Sequence, residues 1–168
     1  MGRLIPGAVV VILGGRLPAV ASPRELTFRH THTGESLKLS RNPDGLFDSA
    51  GLGRVDHFLR DFRTGEIQPI DPGVLTFLGD LHQATGSRGV FEVISGYRSP
   101  GTNALLRDQG RGVAKKSLHM QGRAIDVRLT DVASSDLRDA AIALKRGGVG
   151  YYRQSDFVHL DTGRFRTW

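Results

Sequence analysis

Two short segments of the sequence concentrate side chains that can bind a metal. His119 and Asp126 lie within residues 117–126, and His159 lies within residues 155–161. The sequence contains no cysteine, so histidine and carboxylate side chains must hold any metal. Two histidines and one carboxylate are the ligands of a catalytic type of zinc site, whose fourth position is left for water. Spacing alone does not distinguish such a site from two ordinary histidines.

The sequence around Asp126 predicts the direction in which its side chain points. Residues 124–129 alternate in polarity, which is typical of a strand with one face in the core. In that strand Ile125, Val127 and Leu129 would face the core. Asp126 would then face the other way, toward a cleft.

The remaining chain mixes strand and helix patterns. Residues 25–29 and 36–40 alternate around Thr33-Gly34-Glu35, the pattern of a β-hairpin. Apolar residues recur at helical spacing in residues 52–62 and 74–81. Further along, the pattern predicts a strand at 91–95, a third long helix around 137–144, and closing strands at 149–152 and 157–161. Because strands and helices do not strictly alternate, we predict an α+β fold with a small antiparallel sheet flanked by helices.

The composition is that of a soluble globular protein of one domain. The chain has 168 residues, of which 39% are hydrophobic and 24% charged. The formal net charge of +6 raises nucleic acid as a partner, but the 23 basic residues are interspersed with 17 acidic ones and form no basic tract. We therefore predict no nucleic-acid binding.

The first residues fit a secretory signal. Residues 1–3 form a short basic start, residues 4–14 are largely apolar, and Ala19-Val20-Ala21 fits the small-x-small pattern of a cleavage site. The apolar stretch is too short for a membrane span, which needs about 20 such residues. We predict a signal peptide at 1–21, a domain at 22–168, and no membrane span after cleavage.

The metal-binding segments also carry recognisable motifs. Residues 117–126 read Ser-x-His-x-x-Gly-x-Ala-x-Asp and residues 156–159 read Asp-x-x-His, which resemble the motifs of the zinc D-Ala-D-Ala peptidase (M15-like) superfamily. Within it the chain is most similar to the YcbK-like (MepK-like) murein endopeptidases. Their further hallmarks stand here as His-Thr-His-Thr-Gly-Glu at 30–35, Ile-Ser-Gly-Tyr-Arg-Ser-Pro at 94–100, Gly-Gly-Val-Gly-Tyr at 147–151 and Phe-Val-His-Leu-Asp at 157–161.

The resemblance implies an exported zinc-dependent peptidase with a hedgehog/D-Ala-D-Ala-peptidase-like fold. It would cut the peptides that cross-link glycan strands, acting in the periplasm on peptidoglycan peptide stems as a monomer. His119, Asp126 and His159 would bind one Zn²⁺ per chain. Asp156 occupies the position of the general base, which would take a proton from the zinc-bound water.

The assignment of Asp156 conflicts with local strand geometry. In a regular strand Asp156 and His159 would point to opposite faces, whereas Asp161 would share the face of His159. A bend at Ser155 and Asp156 would remove the conflict, and we favour Asp156. The alternative role of Asp161 is a carboxylate that orients a ligand histidine.

Six further residues are candidates for the cleft. Arg98 matches an arginine that relatives use at the substrate or the developing oxyanion, and a structural salt bridge is its alternative. Ser117 is expected to hydrogen-bond substrate, although serine before such a loop is as often a turn former. Four aromatic residues would either line the cleft or pack against the core, and the pattern does not separate these roles: Tyr151, Tyr152, Phe165 and Trp168.

Two other functions compete with the endopeptidase interpretation. A carboxypeptidase that trims terminal D-alanine would use the same zinc chemistry. A non-catalytic module that binds peptidoglycan or protein is the other rival, because the hedgehog signalling domain resembles these peptidases and acts by binding. A complete ligand set with a candidate base favours the enzyme. His30 and His32 are also spaced for a metal, but we interpret them as hairpin residues.

Overall fold

A mixed sheet runs through the computed structural model, which describes residues 25–42, 47–110 and 112–168. Within these residues the sheet has seven strands in the order β2-β1-β3-β4-β6-β5-β7. The strands are β1 (Glu25–His30), β2 (Ser36–Ser40), β3 (Phe91–Ser95), β4 (Ala124–Leu129), β5 (Gly148–Tyr152), β6 (Phe157–Asp161) and β7 (Arg166–Thr167). The predicted signal peptide, residues 1–21, lies outside the described residues.

Four α-helices accompany the sheet in the described part of the chain. They are α1 (Ser49–Phe58), α2 (Pro72–Ala84), α3 (Pro100–Asp108) and α4 (Ser134–Leu144). The helix α2 begins as its sequence suggests, because the Asp71 side chain accepts a hydrogen bond from Gly73 N at 2.8 Å and Pro72 occupies the first turn. None of the helices in the described ranges combines the length and hydropathy needed to cross a bilayer.

The mixture of helices and strands is confirmed, but the prediction of a small, antiparallel sheet is wrong. The strand β1 pairs parallel with β3, and β5 pairs parallel with β7. A parallel pair requires a long crossover, and α1 with α2 supplies it between the β1–β2 hairpin and β3. The hairpin therefore extends the central sheet rather than forming a separate small one.

One face of the sheet carries the core. Ile125, Val127 and Leu129 of β4 are at most 4% exposed, as the alternating pattern predicts. Phe28 of β1 stacks against Phe91 of β3 with ring centroids 5.8 Å apart. The central strands are therefore fixed in register by burial, because a shift of one residue would turn these side chains away from the core.

The opposite face presents polar side chains from the same strands. Asp126 of β4 lies directly across from His159 of β6, which in turn lies across from Gly150 of β5. The three positions form a row across the sheet. That row is the floor on which the functional site is built.

His30 is buried against aromatic side chains at the end of β1. Its Nδ1 accepts a hydrogen bond from His32 N at 3.2 Å, and its ring contacts Phe58 and Phe62 edge-on. Burial lowers the pKa of His30 to about 4, so the ring is neutral at pH 7. These contacts agree with the interpretation of His30 and His32 as hairpin residues.

Gly122 allows the loop that leads into β4 to pack closely against the segment before α2. Gly122 has a φ of 66°, and a Cβ at this position would overlap the carbonyl oxygen of Pro69. Its own carbonyl accepts a hydrogen bond from Asp71 N at 2.9 Å, which ties the loop to the start of α2. Only glycine satisfies both the left-handed backbone and the close approach.

We expect Gly122→Ala to lower the free energy of unfolding by about 2–4 kcal/mol, from left-handed backbone strain plus the overlap with Pro69. Gly65→Ala is the matched control, because Gly65 has a φ of 77° and open space around it. Its cost should be about 1 kcal/mol. Urea denaturation of both variants measures the difference, and equal losses would show that the Pro69 contact imposes no constraint.

Candidate metal centre

Three buried side chains meet on the polar face of the sheet. His119 Nε2 lies 3.1 Å from His159 Nδ1 and 3.2 Å from Asp126 Oδ1. His159 Nδ1 lies 2.9 Å from the same carboxylate oxygen. Each of the three residues is less than a tenth exposed. The structure thus brings together the three residues that the sequence proposes as metal ligands.

Different elements supply the three side chains. Asp126 and His159 face each other across the antiparallel pair β4 and β6. His119 comes from a short 3₁₀ turn at Leu118–Gln121 that precedes β4. The His119 carbonyl accepts a hydrogen bond from Arg98 N at 3.2 Å, which anchors this turn to the loop after β3.

The outward-facing nitrogens of both histidines have fixed partners. His119 Nδ1 lies 2.7 Å from the Gly96 carbonyl oxygen, which can only accept, so Nδ1 carries a proton. His159 Nε2 lies 3.0 Å from Asp161 Oδ2 and donates to it in the same way. In the neutral rings the lone pairs are therefore on His119 Nε2 and His159 Nδ1, the two atoms that face Asp126.

Burial and mutual pairing shift the pKa values of the three side chains. Burial opposes ionisation of Asp126, but His119 and His159 hold the pKa of its carboxyl far below the usual range. Burial alone would lower the pKa of His159, yet its hydrogen bonds to Asp126 and Asp161 raise that pKa to about 9. Burial lowers the pKa of His119. An environment that holds a proton so strongly also favours a metal cation at the same place.

The donor set fits zinc. Two imidazole nitrogens and one carboxylate oxygen are typical zinc ligands, and their separations of 2.9–3.2 Å are close to the roughly 3.3 Å between ligand atoms in a tetrahedral site with zinc bonds of about 2.0–2.1 Å. The cluster opens onto a cavity of about 320 Å³. Three protein ligands and an open side are the arrangement of a catalytic rather than a structural zinc site.

Both predicted substrate-binding residues border this cavity. Arg98 and Ser117 are buried polar residues that line it. Arg98 Nη2 lies 3.6 Å from Asp126 Oδ2, the carboxylate oxygen that faces away from the histidines, and 3.4 Å from Ser95 Oγ. Arg98 therefore supports the carboxylate ligand, and its Nε makes no hydrogen bond with the residues that the structure describes.

Asp156 lies apart from the cluster. Its side chain is about two thirds exposed, its Oδ2 is 3.9 Å from Arg128 Nη1, and it is not among the residues that line the cavity. The backbone does bend here, because Ser155 ends a 3₁₀ turn and Asp156 has a φ of 50°. The structure therefore does not bring Asp156 to the metal ligands, and its role as general base stays a prediction.

Asp161 is the carboxylate that contacts a ligand histidine. It is fully buried, accepts from Gly148 N at 3.1 Å, and pairs with Arg166 at 3.0 and 2.6 Å in addition to its bond with His159. Burial opposes its ionisation, but His159 and Arg166 lower its pKa well below the usual range. Strand parity indicated that Asp161 shares the face of His159, whereas no pattern in the sequence indicated Arg166.

A buried group of two histidines and a carboxylate, open to a cavity on one side, can hold a metal ion in the arrangement that metal-dependent hydrolases use. Comparison with known families agrees with this class. A family model described as peptidoglycan L,D-endopeptidase MepK matches residues 18–168. The chain belongs to this family, so the resemblance noted in its motifs is confirmed.

Individual relatives cover most of the chain. The peptidoglycan L,D-endopeptidase MepK of Escherichia coli strain K12 is 46% identical over 151 residues, which are 87% of this chain and 80% of that protein. The probable peptidoglycan L,D-endopeptidase MepK of Haemophilus influenzae strain Rd is 40% identical over 166 residues, 98% of this chain and 87% of that protein. The similarity therefore extends over most of the chain.

We expect Asp161→Asn to weaken zinc binding by about 10- to 100-fold, because His159 would lose the charged acceptor that fixes its tautomer. The matched control is Asp139→Asn, since Asp139 is an exposed carboxylate of α4. Competition with a chromogenic chelator gives both dissociation constants. Equal affinities of Asp161→Asn and the wild type would show that Asp161 does not orient the ligand.

Proposed function

We propose that this protein is a zinc-dependent murein endopeptidase that hydrolyses peptide cross-links of peptidoglycan during cell-wall remodelling. The observation that carries the proposal is the convergence of lone pairs from His119, Asp126 and His159 at the floor of an open cavity. Membership of the MepK family supports the substrate class, since the relatives are named for peptidoglycan.

The roles follow from the geometry of the ligands. His119, Asp126 and His159 would hold one zinc ion per chain, which supplies a polarised water and a Lewis acid for the scissile carbonyl. Asp126 would offer Oδ1 to the metal, while its Oδ2 lies 3.6 Å from Arg98 Nη2. The guanidinium of Arg98 would stabilise negative charge on the substrate, and Ser117 on the same side of the cavity would hydrogen-bond the peptide.

For the general base we propose Asp156. Among the described residues that line the cavity, Asp126 is the one carboxylate, so a separate carboxylate base must approach from outside. Asp156 is exposed and its pairing with Arg128, at 3.9 Å, is weak. The turn at residues 153–156 would therefore bring the carboxylate toward the cavity when substrate binds.

We also propose that residues 1–21 are a secretory signal and that residues 22–168 form a periplasmic peptidase domain. The basic start, apolar stretch and Ala19-Val20-Ala21 pattern support export. Peptidoglycan as substrate requires the same location. All three metal ligands come from one chain, which supports a monomeric enzyme, and we assign its sheet to the hedgehog/D-Ala-D-Ala-peptidase fold.

The proposal is tested on purified sacculi. Wild-type enzyme with zinc should release fragments whose masses show cleavage within cross-links, and a chelator should abolish the release. Asp126→Ala should lower the rate by about 1,000-fold or more, because the zinc would be lost. Asp139→Ala, which removes an exposed carboxylate, is the control and should retain wild-type activity. Release of terminal alanine alone would instead identify a carboxypeptidase, and no release at all would refute the hydrolase.

A second prediction concerns Asp156 as the general base. Asp156→Asn should lower kcat by about 100- to 10,000-fold while zinc affinity stays at the wild-type value, because the residue transfers a proton and binds no metal. The reaction on the same sacculi, with zinc content measured in parallel, separates the two effects. Wild-type kcat in Asp156→Asn would assign the proton transfer to another group.

A further inference from the structure

The cavity has a second polar wall that the proposed mechanism does not use. Arg98 follows β3 and borders the cavity from that side, whereas Tyr152 and Trp168 border it from the side of β5 and β7; Ser117 also lines it. The strands β4 and β6, which carry Asp126 and His159, lie between these two sides. A peptide bound over the metal ligands would therefore lie between the two walls.

Tyr152 is held as a rigid part of this wall. Its ring stacks on Phe157 with centroids 4.6 Å apart and an interplanar angle of 15°. The two residues face each other across β5 and β6, so the stack is fixed by strand register. Tyr152 remains 38% exposed, because its free side faces the cavity.

Trp168 is fixed in turn by the sheet. Its backbone exchanges hydrogen bonds with β5, to Val149 O at 3.3 Å and from Tyr151 N at 3.1 Å. Its indole lies against Gly150, where a Cβ would come within 2.5 Å of the ring, and 5.2 Å from the ring of His159. The glycine thus makes room for an aromatic ring beside the metal ligand.

The donor and the acceptor can be assigned in the hydrogen bond between Trp168 and Tyr152. Trp168 Nε1 lies 3.2 Å from the Tyr152 hydroxyl oxygen. An indole N–H can only donate, so the tyrosine oxygen is the acceptor in this bond. The phenolic proton of Tyr152 is therefore not used by Trp168 and is left for a second partner.

We propose that the Tyr152 hydroxyl donates a hydrogen bond to the peptide bound in the cavity, with Trp168 as the positioning residue that orients it. The inference rests on the proposed function, because it places the substrate between Tyr152 and Arg98. A neutral donor fixed before substrate arrives stabilises charge that develops on a carbonyl oxygen without reorganisation. Donation from Trp168 polarises the hydroxyl and strengthens this bond.

The test compares Tyr152→Phe with the wild type on the same cross-linked peptide. The phenylalanine keeps the stack on Phe157 and removes only the hydroxyl, so kcat/KM should fall by about 10- to 100-fold while zinc content and Tm do not change. Tyr151→Phe is the matched control. The Tyr151 ring lies under Arg138 at 4.7 Å, outside the cavity, and this variant should keep wild-type kcat/KM.

Trp168→Phe provides a second, independent arm. It should lower kcat/KM in the wild-type background but cause no further loss in Tyr152→Phe, because its N–H acts through the hydroxyl. Equal losses in both backgrounds would overturn the positioning role of Trp168. Wild-type kcat/KM in folded, zinc-loaded Tyr152→Phe would overturn the inference and leave the endopeptidase intact, whereas an inactive wild type would refute the proposed function itself.

Discussion

The antiparallel pairing of β4 with β6 is the interaction on which the rest of the site depends. It sets Asp126 directly opposite His159 and leaves only His119 to be supplied by a loop. The neighbouring residues Ile125 and Leu160, which also pair, are buried on the core side. Because the side chains of a strand alternate, the hydrophobic core and the metal ligands fix the same register. Burial of apolar surface therefore maintains the geometry of the polar site.

Without a metal, the raised pKa of His159, about 9, leaves a proton on its Nδ1, which faces Asp126 and His119. A buried charge requires a partner, and the outward-facing groups already have theirs in the Gly96 carbonyl and in Asp161 with Arg166. The inward-facing atoms of the cluster have only one another. A bound metal would take the place of that proton between the three side chains, so we expect metal binding and folding stability to be coupled in this protein.

The sequence predicted well those features that depend on local pattern. The alternation around Asp126 and the helical spacing before β3 are read over a few residues, and the structure agrees with both. The parallel pairing of β1 with β3 was missed because it joins segments about 60 residues apart in the chain, whose contact no local pattern encodes. Asp156 itself has a left-handed backbone, so the alternation of a regular strand, which counted against it as the base, does not apply at this residue. The partnership of Arg166 with Asp161 arises only when β7 returns along β5.

The two histidines of the cluster use different ring nitrogens, and this asymmetry has a consequence for protein design. His119 presents Nε2 because a backbone carbonyl holds its Nδ1, whereas His159 presents Nδ1 because a carboxylate holds its Nε2. Grafting three ligand residues onto another sheet would leave both rings free to rotate and to exchange tautomers. A design that transfers this site to another protein therefore needs at least five groups: the three ligand side chains, the Gly96 carbonyl and the Asp161 carboxylate.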